Sequence, residues 1–554
     1  MFYPFWRIFA FLALLSFLCL SPGLANPPLV KIGWDSNPEV RVLGYNVYRS
    51  TGTNAPALLN QNGLVDEARF VDRAVEKGAT YTYLVTAVDL QGLESVYSAP
   101  LVVKVEKQVP VPQTAFLPAS LATDQAAFKN TFVGLGLLNL GDVPDQVGIT
   151  GIDCEGAQTG YHTVANIAPH GRTSELPDQV ANLPASTAIM LGRSNSDIHP
   201  FFLAGTKDLR SFEGITEALH PARTLFFPIS LSQTGTASLT LFNPDEKKPA
   251  EIEVTAWDRD GSSRGTHALV LPALGSFQGV LGQLFGPEFS LEEGYVVVSS
   301  KQPVEGYQFS AFDSQSLSGV PGEPAYRGER LSLPHFFFDD SGGDTEIHVI
   351  NADASEVLLE FKAYVDGVPE PEIRTVRLAP RALGVMSMRG LLGREGIPGV
   401  ATGDLEVTAI GRDGSDAIYA KVVAQATFIG NGGRARAIAP LRAQGAETWI
   451  FPAVLQQRDA GFCTGLALLN QRNEALDLTV RAIDDQGQLI AERVVEVPGG
   501  QRLVGQLDAD VFFGPGFSQM GGHLEVTGEL SFMALALFGD QWVEFLSQIG
   551  PVLR

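Results

Sequence analysis

Carboxylates grouped in three glycine-containing turns are the residues best placed to do chemistry. The turns are Asp258-Arg259-Asp260-Gly261, Asp339-Asp340-Ser341-Gly342-Gly343-Asp344 and Asp484-Asp485-Gln486-Gly487. Calcium takes about six to eight oxygen ligands, so each turn offers part of a site. Asp-Gly is also an ordinary hairpin turn, because glycine accepts a positive φ and aspartate bonds its own backbone. We expect structural turns, assign no metal ligand, and keep calcium binding as the alternative.

The histidines form no recognisable metal-binding or catalytic motif. They are His162, His170, His199, His220, His267, His335, His348 and His523. No His-Glu-x-x-His, close histidine pair or Cys/His cluster of metal-ligand spacing occurs among them. His348 lies in a predicted strand, where we expect it to face solvent or to be a hydrogen-bonded sheet residue.

Two short motifs begin like catalytic or cofactor sequences but do not complete them. Gly516-Phe517-Ser518-Gln519-Met520-Gly521 has the wrong spacing for Gly-x-Ser-x-Gly, and no helix is predicted after it. Gly134-Leu135-Gly136-Leu137-Leu138-Asn139 starts like a dinucleotide fingerprint, but Asn139 replaces its third glycine. Two distant carboxylates could still converge for glycoside hydrolysis, yet the copies described below carry no large unique loop. We predict no catalytic residue, no cofactor and no enzyme activity.

The composition excludes several classes of partner. The 554 residues carry a net charge of −23, from 39 basic and 62 acidic side chains. Nucleic acids and anionic lipid surfaces both require a cationic face, so neither is an expected partner. The 58 glycines, 34 prolines and 6 methionines favour short strands joined by tight turns.

The first 25 residues have the pattern of a secretory signal peptide. Arg7 is followed by an apolar run from Ile8 to Leu20, and Gly23-Leu24-Ala25 supplies the small residues of a cleavage site. The run of 13 residues is shorter than the roughly 20 needed to span a bilayer, which disfavours the alternative of an uncleaved anchor. We predict an exported protein, whether extracellular, cell-surface or periplasmic, with no integral membrane segment after cleavage. Cys154 and Cys463 then remain, either as free thiols or as a bridge that would require the first and last repeats to touch.

Residues 29–106 read as one small β-sandwich. The segments Gly44-Tyr45-Asn46-Val47-Tyr48-Arg49 and Thr80 to Asp89 both alternate with the period of a strand. With Trp34, Tyr81-x-Tyr83-x-Val85-x-Ala87-x-Asp89 and Gly92, they resemble a fibronectin type III domain. The resemblance implies that Tyr81 makes a tyrosine corner, and it implies a fold rather than a function. We expect the segment from Val105 to Thr114 to be a semi-rigid linker.

The rest of the chain repeats one plan four times. Each copy has an early proline, a strand that ends in asparagine, an acidic turn and a second proline. The asparagines are Asn139, Asn243, Asn351 and Asn470, and the second prolines are Pro169, Pro272, Pro380 and Pro498. The separations from asparagine to second proline are 30, 29, 29 and 28 residues, which is too steady for chance.

The repeats have the length and alternation of sandwich domains. The pattern of Glu251-Ile252-Glu253-Val254-Thr255-Ala256-Trp257 is typical of an antiparallel strand with one buried face. The predicted fold class is therefore all-β, with tandem β-sandwich domains and helix limited to turns such as Leu281 to Phe285. The predicted domains are 1–25 (signal peptide), 29–106 (fibronectin type III-like) and the repeats 114–216, 223–321, 329–430 and 447–554. We expect each copy to close its own core; five bodies in line would extend roughly 170 Å, the alternative being a folded-back array.

These features predict a secreted or cell-surface protein that binds a ligand and acts as a spacer. Its contacts, to an unknown protein or glycan ligand, would be made through loops or sheet edges. One alternative is a carbohydrate-active hydrolase or its accessory protein. Another is a structural component of an envelope assembly.

Overall fold

The computed structural model divides into two compact units, Met1–Val109 and Pro110–Arg554. It describes residues 30–34, 42–52, 54–61, 63–65, 68–72, 75, 79–89, 91–105, 113–121, 126–175, 183–194, 197–207, 212–216, 221–231, 235–312, 316–327, 329–396, 398–410, 420–430, 433, 435–540, 546–548 and 550–553. The predicted signal peptide (1–25) and most of the predicted linker lie outside these residues. In the part described, no helix is long and apolar enough to cross a membrane.

The first unit is a sandwich of two small sheets. Its strands are β1 (Val30–Gly33), β2 (Val42–Thr51), β3 (Ala57–Leu58), β4 (Arg69–Asp72), β5 (Thr80–Asp89) and β6 (Leu101–Lys104). The sheet orders are β1-β4 and β3-β2-β5-β6. Tyr81 and Tyr83 share the inward face of β5 because alternate residues of a strand point the same way. The hydroxyl of Tyr83 donates to Asp72, while Arg49 lies over the ring of Tyr81; the tyrosine corner stays a prediction.

The first repeat of the second unit sets an eight-strand plan. Its strands are β7 (Gln113–Pro118), β8 (Thr131–Asn139), β9 (Asp145–Ile152), β10 (Gln158–Ile167), β11 (Arg172–Glu175), β12 (Ile189–Ser194), β13 (Ile198–Thr206) and β14 (Phe212–Thr216), with a 3-10 turn at Ala126–Phe128. They form two sheets of order β10-β9-β12-β7 and β11-β8-β13-β14. The apolar faces of the two sheets meet in a core that includes Leu137, Ile149 and Phe202.

The second repeat follows the same plan with two strands fused into one. Its elements are β15 (Ala222–Ser230), β16 (Thr236–Phe242), β17 (Ala250–Asp258), β18 (Ser263–Leu271), β19 (Ser276–Val280), α1 (Leu281–Phe285), β20 (Glu293–Phe312) and β21 (Ser316–Pro321). Strand β20 pairs with β15 and β17 in its first half and with β16 and β21 in its second half. The short helix predicted near Leu281 is confirmed as α1.

The third repeat again has two separate sheets. Its elements are β22 (Tyr326–Arg327), β23 (Arg330–Phe338), β24 (Asp344–Asn351), β25 (Val357–Val365), β26 (Glu372–Leu378), β27 (Leu383–Ser387), α2 (Met388–Leu391), β28 (Ala401–Ile410), β29 (Lys421–Gly430) and β30 (Ala435–Pro440). The orders are β23-β28-β25-β26 and β22-β29-β24-β27, with β30 paired to β29. Strand β30 lies beyond the predicted end of this repeat at residue 430.

The fourth repeat resembles the second, because one long strand again serves both sheets. Its elements are β31 (Ala446–Phe451), β32 (Leu455–Gln456), β33 (Phe462–Leu469), β34 (Leu476–Ile483), β35 (Leu489–Val497), β36 (Arg502–Gln506), β37 (Gln519–Met520), β38 (His523–Asp540), β39 (Leu546–Gln548) and β40 (Val552–Leu553), with a 3-10 turn at Arg458–Ala460. The predicted all-β class with tandem β-sandwiches is confirmed. The six predicted domain bounds stay predictions.

The repeated asparagines explain the steady spacing seen in the sequence. Each is fully buried at the end of its strand. Asn243, for example, donates from Nδ2 to the carbonyls of Lys248 (2.8 Å) and Pro272 (2.7 Å) and accepts from the backbone N–H of Asp245 (3.1 Å). The other three asparagines bond to a nearby loop and to a hairpin 27 to 29 residues later. The asparagine therefore ties a loop and a hairpin together in every copy.

Replacing Asn243 with Ala should destabilise the second repeat by about 2 kcal/mol, because buried carbonyls lose their donor. Chemical denaturation followed by tryptophan fluorescence measures the change. Asn473→Ala is the matched control, since Asn473 is exposed, and its effect should stay within about 0.5 kcal/mol. Equal losses in the two variants would contradict the role of Asn243.

The repeats do not each enclose a core of their own residues alone, contrary to expectation. Tyr307, Phe309 and Leu317 of the second repeat pack into the core of the first. Ala467 and Leu535 of the fourth repeat pack into the core of the third. The expectation of separate bodies is wrong here because the outward faces of these sheets are apolar and must be covered by a neighbour.

The four repeats close on one another in a ring. Their last strands, β14, β21, β30 and β39, adjoin in cyclic order, so that β39 of the fourth repeat lies beside β14 of the first. Leu138 and Phe201 of the first repeat also form a small apolar cluster with Ile450 and Phe538 of the fourth. The folded-back alternative therefore holds within this unit, and an extended string of four does not.

Candidate functional site

The acidic turns predicted as possible calcium loops use their carboxylates on their own backbone. Oδ1 of Asp484 accepts from the N–H groups of Gln486 and Gln488, both at 2.8 Å. Asp260 accepts from Ser262 in the same way, and Asp339 accepts from Ser341 and Gly343. No group of three or more His, Cys, Asp or Glu side chains suited to a metal occurs within the described residues. The geometry is that of structural turns.

Three turns dock on the next repeat of the ring. They are the turns between β9 and β10 (residues 153–156), β17 and β18 (258–261), and β34 and β35 (484–487). Backbone N–H groups just after the second-proline hairpin donate to carbonyls of the preceding repeat's turn. The three bonds are Ser276 N to Cys154 O (3.0 Å), Leu383 N to Arg259 O (2.9 Å) and Arg172 N to Asp485 O (2.9 Å). They join the first repeat to the second, the second to the third, and the fourth back to the first. We call these three contacts the docking bonds.

The junction between the third and fourth repeats uses side chains instead. The turn at Asp366-Gly367 is shorter than the others, and Arg502 bonds it through Oδ2 of Asp366. Arg502 also donates from Nη1 to Nδ1 of His335 at 2.7 Å and lies 3.8 Å from Asp404. Arg502 and Arg172 occupy equivalent positions of the repeat. Each directly follows a hairpin residue, Gln501 or Gly171, whose carbonyl accepts from the backbone N–H of that repeat's asparagine.

Burial shifts the pKa of two groups in this cluster in opposite directions. Burial, aided by the Arg502 guanidinium, lowers the pKa of His335 to about 3. Burial raises the pKa of Asp404 to about 7, in spite of the nearby Arg502. The cluster therefore holds a neutral imidazole next to a carboxyl group that can carry a proton near neutral pH.

The junction that closes the ring has a buried ion pair. Nε of Arg172 donates to Oδ1 of Asp485 at 3.0 Å, and its Nη1 donates to the carbonyl of Pro452 at 2.8 Å. The guanidinium also lies 5.7 Å from the centre of the Phe201 ring. His523 lies fully buried beside this pair. Burial, with smaller contributions from Arg172 and His170, lowers the pKa of His523 to about 3.

Part of the junction between the second and third repeats is polar, although an apolar cluster that includes Phe226, Tyr295 and Ile350 also crosses it. At one equivalent position the four repeats carry Phe201, Tyr307, Gln425 and Leu535. Gln425 faces a narrow cavity that is also lined by Gln308, Ser310, Ser318, Thr427 and Arg436. We call this the polar seam.

His348 corrects one sequence-based expectation. Its side chain is fully buried opposite Gln425, so it does not face solvent. Its Nε2 lies 3.5 Å from Oε2 of Glu346, but neither ring nitrogen makes a hydrogen bond of good geometry to a described residue. Alternation places His348 on the same face of its strand as Ile350, and that face is covered by Phe226 and Tyr295 of the second repeat.

Apolar side chains line two surfaces suited to contacts, one a half-buried groove and the other an exposed patch. A groove of about 410 Å³ between the second and third repeats is lined mainly by apolar residues of the third repeat, including Val376 and Met386, and by Arg259 and Asp260 of the second. In the first unit, Val102 (63% exposed) lies on the edge strand β6. Val96 (90% exposed) and the exposed Tyr97 precede that strand. Large exposed apolar side chains that cluster are typical of interaction sites.

The remaining sequence predictions fall on ordinary structure. Gly134 to Asn139 forms part of strand β8, and Gln519-Met520 forms the short strand β37 with no helix between Gly516 and Gly521. Cys154 and Cys463 are both free thiols, although the first and fourth repeats touch. Sequence reasoning missed Arg172, Arg502, His335 and His523. An arginine at the same hairpin position in the first and last copies was the available signal.

No protein-family model matches the chain, and no curated protein matches it. Among solved structures, an Fn3-like protein from Clostridium thermocellum is 27% identical and covers 15% of this chain and 80% of its own, with a TM-score of 0.13. Carbohydrate-binding modules of the β-sandwich superfamily are 10% identical over 54% of this chain and 94% of theirs (TM-score 0.13). An α-L-rhamnosidase from Dictyoglumus thermophilum is 10% identical over 56% of this chain and 48% of its own (TM-score 0.17). TM-scores this low carry no argument about function.

Proposed function

We propose that this chain is an exported binding and spacing protein that contacts a protein or a carbohydrate through exposed loops and edges, without catalysis. One observation supports it above the others: Arg172, Arg502 and Asp485, charged groups that could do chemistry, hold the repeats to one another. The apolar surfaces lie elsewhere, exposed at β6 and half-buried in the groove between the second and third repeats. The first unit serves as a fibronectin type III-like module, and the ring serves as a rigid platform.

A binding experiment tests this proposal. The full chain is immobilised and probed with a panel of defined glycans and with purified envelope proteins. We expect at least one ligand whose affinity falls about tenfold in Val102→Glu or Val96→Glu, since a buried charge removes the apolar contact. Glu253→Gln, on the outer face of β17, is the control and should bind normally. A ligand bound equally by all three variants contradicts the proposed surfaces.

The hydrolase alternative has one observation in its favour. Burial raises the pKa of Asp404 to about 7, which suits a general acid, but Asp404 is only 6% exposed and lies in the contact between the third and fourth repeats. Release of reducing sugar from a polysaccharide panel, abolished by Asp404→Asn, would favour the enzyme. The envelope-component alternative would instead give one stoichiometric protein partner and no glycan.

A further inference from the structure

The ring is built from two pairs of repeats. One apolar core runs from the first repeat into the second through Tyr307 and Phe309, and another runs from the third into the fourth through Ala467 and Leu535. The two junctions between these pairs have only small, separate apolar clusters. We call repeats one and two the first pair, and repeats three and four the second pair. Each pair shares a core and should move as one body.

The two junctions between the pairs are unlike each other. The chain itself crosses from the second repeat to the third, beside the polar seam. There the Ser318 hydroxyl and Oε1 of Gln308 are buried and have no hydrogen-bond partner among the described residues. Polar surfaces of this kind take up water when they part, so that small rotations cost little. The docking bond from Leu383 to Arg259 and the apolar cluster of Phe226, Tyr295 and Ile350 also cross this junction. It can therefore stay joined, as a hinge, while the opposite junction parts.

The polypeptide does not pass directly from the fourth repeat to the first. That junction is therefore held by contacts between side chains and by one docking bond. Arg172 pairs with Asp485 across it, and only 8% and 14% of the two side chains are exposed. The docking bond from Arg172 N to Asp485 O runs alongside. These contacts form a latch opposite the hinge.

His523 is the titratable group enclosed by the latch. The charged and titratable groups that act on it are Arg172 and His170 of the first repeat. In its own repeat, the Asp485 carboxylate accepts from the N–H of Gly522, the residue before His523. Asp142 lies beyond His170, 3.3 Å from Nε2 of that residue. A proton on His523 would therefore add a positive charge next to the Arg172 guanidinium in a closed space.

We propose that acid opens the ring at the latch between the fourth and first repeats, and that the two pairs turn about the polar seam. The closed state excludes water from His523, and the open state hydrates its imidazolium. Opening leaves both shared cores intact.

The direction and size of the effect follow from linkage. The pKa of His523 is about 3 in the closed ring and should return to about 6.5 when exposed. The open state binds the extra proton, so closure is fully favoured above about pH 6.5 and is lost as the pH falls toward 3. At pH 5 the open state gains about thirty-fold in population relative to neutral pH.

Hydrogen–deuterium exchange of the full chain tests the proposal with an internal control. The amide of Arg172 reports the latch, and the equivalent amide of Ser276 reports the junction inside the first pair. After correction for intrinsic exchange, we expect protection at Arg172 to fall at least tenfold between pH 7.5 and pH 5 while Ser276 stays protected. Equal loss at both amides, or no loss at either, overturns the proposal.

A substitution separates the latch from general acid sensitivity. His523→Gln removes the proton and should keep Arg172 protected at pH 5, whereas His267→Gln on β18 should leave the acid response unchanged. Small-angle scattering of the wild-type chain provides a second measurement that needs no variant. The radius of gyration should rise reversibly at pH 5 with no loss of the near-ultraviolet dichroism of the cores. Irreversible unfolding, or a response that persists in His523→Gln, counts against the latch.

Discussion

Replacing Arg172 with Met should open the ring at neutral pH and lower the free energy of unfolding by about 3–5 kcal/mol. Arg172 is almost fully buried and is paired with Asp485 across the junction between the fourth and first repeats. Methionine retains much of the apolar volume beside Phe201, but the Asp485 carboxylate is left buried without its partner, which is the costly way to break an ion pair. Denaturant unfolding measures the loss, and small-angle scattering measures the opening.

An exposed arginine is the matched control for this substitution. Arg264→Met breaks a pair with Asp258 at 3.2 Å in which 45% of the arginine side chain is exposed, so its cost should be within about 1 kcal/mol. Adding Asp485→Leu to Arg172→Met should restore part of the lost stability, because the uncompensated charge is removed. A double variant less stable than Arg172→Met would contradict this account of the pair.

Local patterns were sufficient to predict the sandwiches. Alternation from Glu251 to Trp257 predicted strand β17, and turn chemistry predicted the Asx bonds of Asp260 and Asp484. The constant distance from Asn243 to Pro272 was visible as a spacing, and its cause is a hydrogen bond between these two residues. Each of these features depends on residues within one repeat, where period and turn type constrain the answer.

The closed ring could not be predicted in the same way. The junctions form where one repeat buries a sheet face of another repeat. Alternation shows that a face is apolar, but it does not show whether that face packs against the core of its own repeat or against a neighbouring repeat. Tyr307 and Leu535 look like ordinary core residues, although each fills the core of the preceding repeat. Gln425 looks like a solvent-facing residue, although it lies at the polar seam.

The low pKa values of two histidines could not be predicted from the sequence for the same reason. His335 and His523 carry no motif, and their pKa values are low because neighbouring repeats exclude water from them. Arg172 and Arg502 occupy one position of the repeat, so comparison of the copies would have paired them. Knowledge of the ring is still needed to place the partners Asp485 and Asp366 beside them.

Replacing Gly487 with Ala should cost about 3–4 kcal/mol and weaken the junction between the fourth and first repeats. Gly487 has a φ of +78°, and an added Cβ would lie less than 3.0 Å from the carbonyl oxygen of Pro169 in the first repeat. The left-handed backbone alone costs a non-glycine residue roughly 1–2 kcal/mol. The remainder comes from pushing apart two well-packed backbones.

Gly367→Ala separates these two contributions. Gly367 occupies the corresponding turn of the third repeat with a φ of +76°, yet nothing lies within 4 Å of an added Cβ. Gly367→Ala forces a non-glycine residue into a left-handed conformation but creates no clash. Its free energy of unfolding should therefore fall by roughly 1–2 kcal/mol, and the ring should stay closed. Thermal unfolding of the two variants, with scattering to follow closure, measures the difference directly. If both lose the same stability and keep the same radius of gyration, the turn of the fourth repeat does not dock on the first as the docking bond from Arg172 to Asp485 requires.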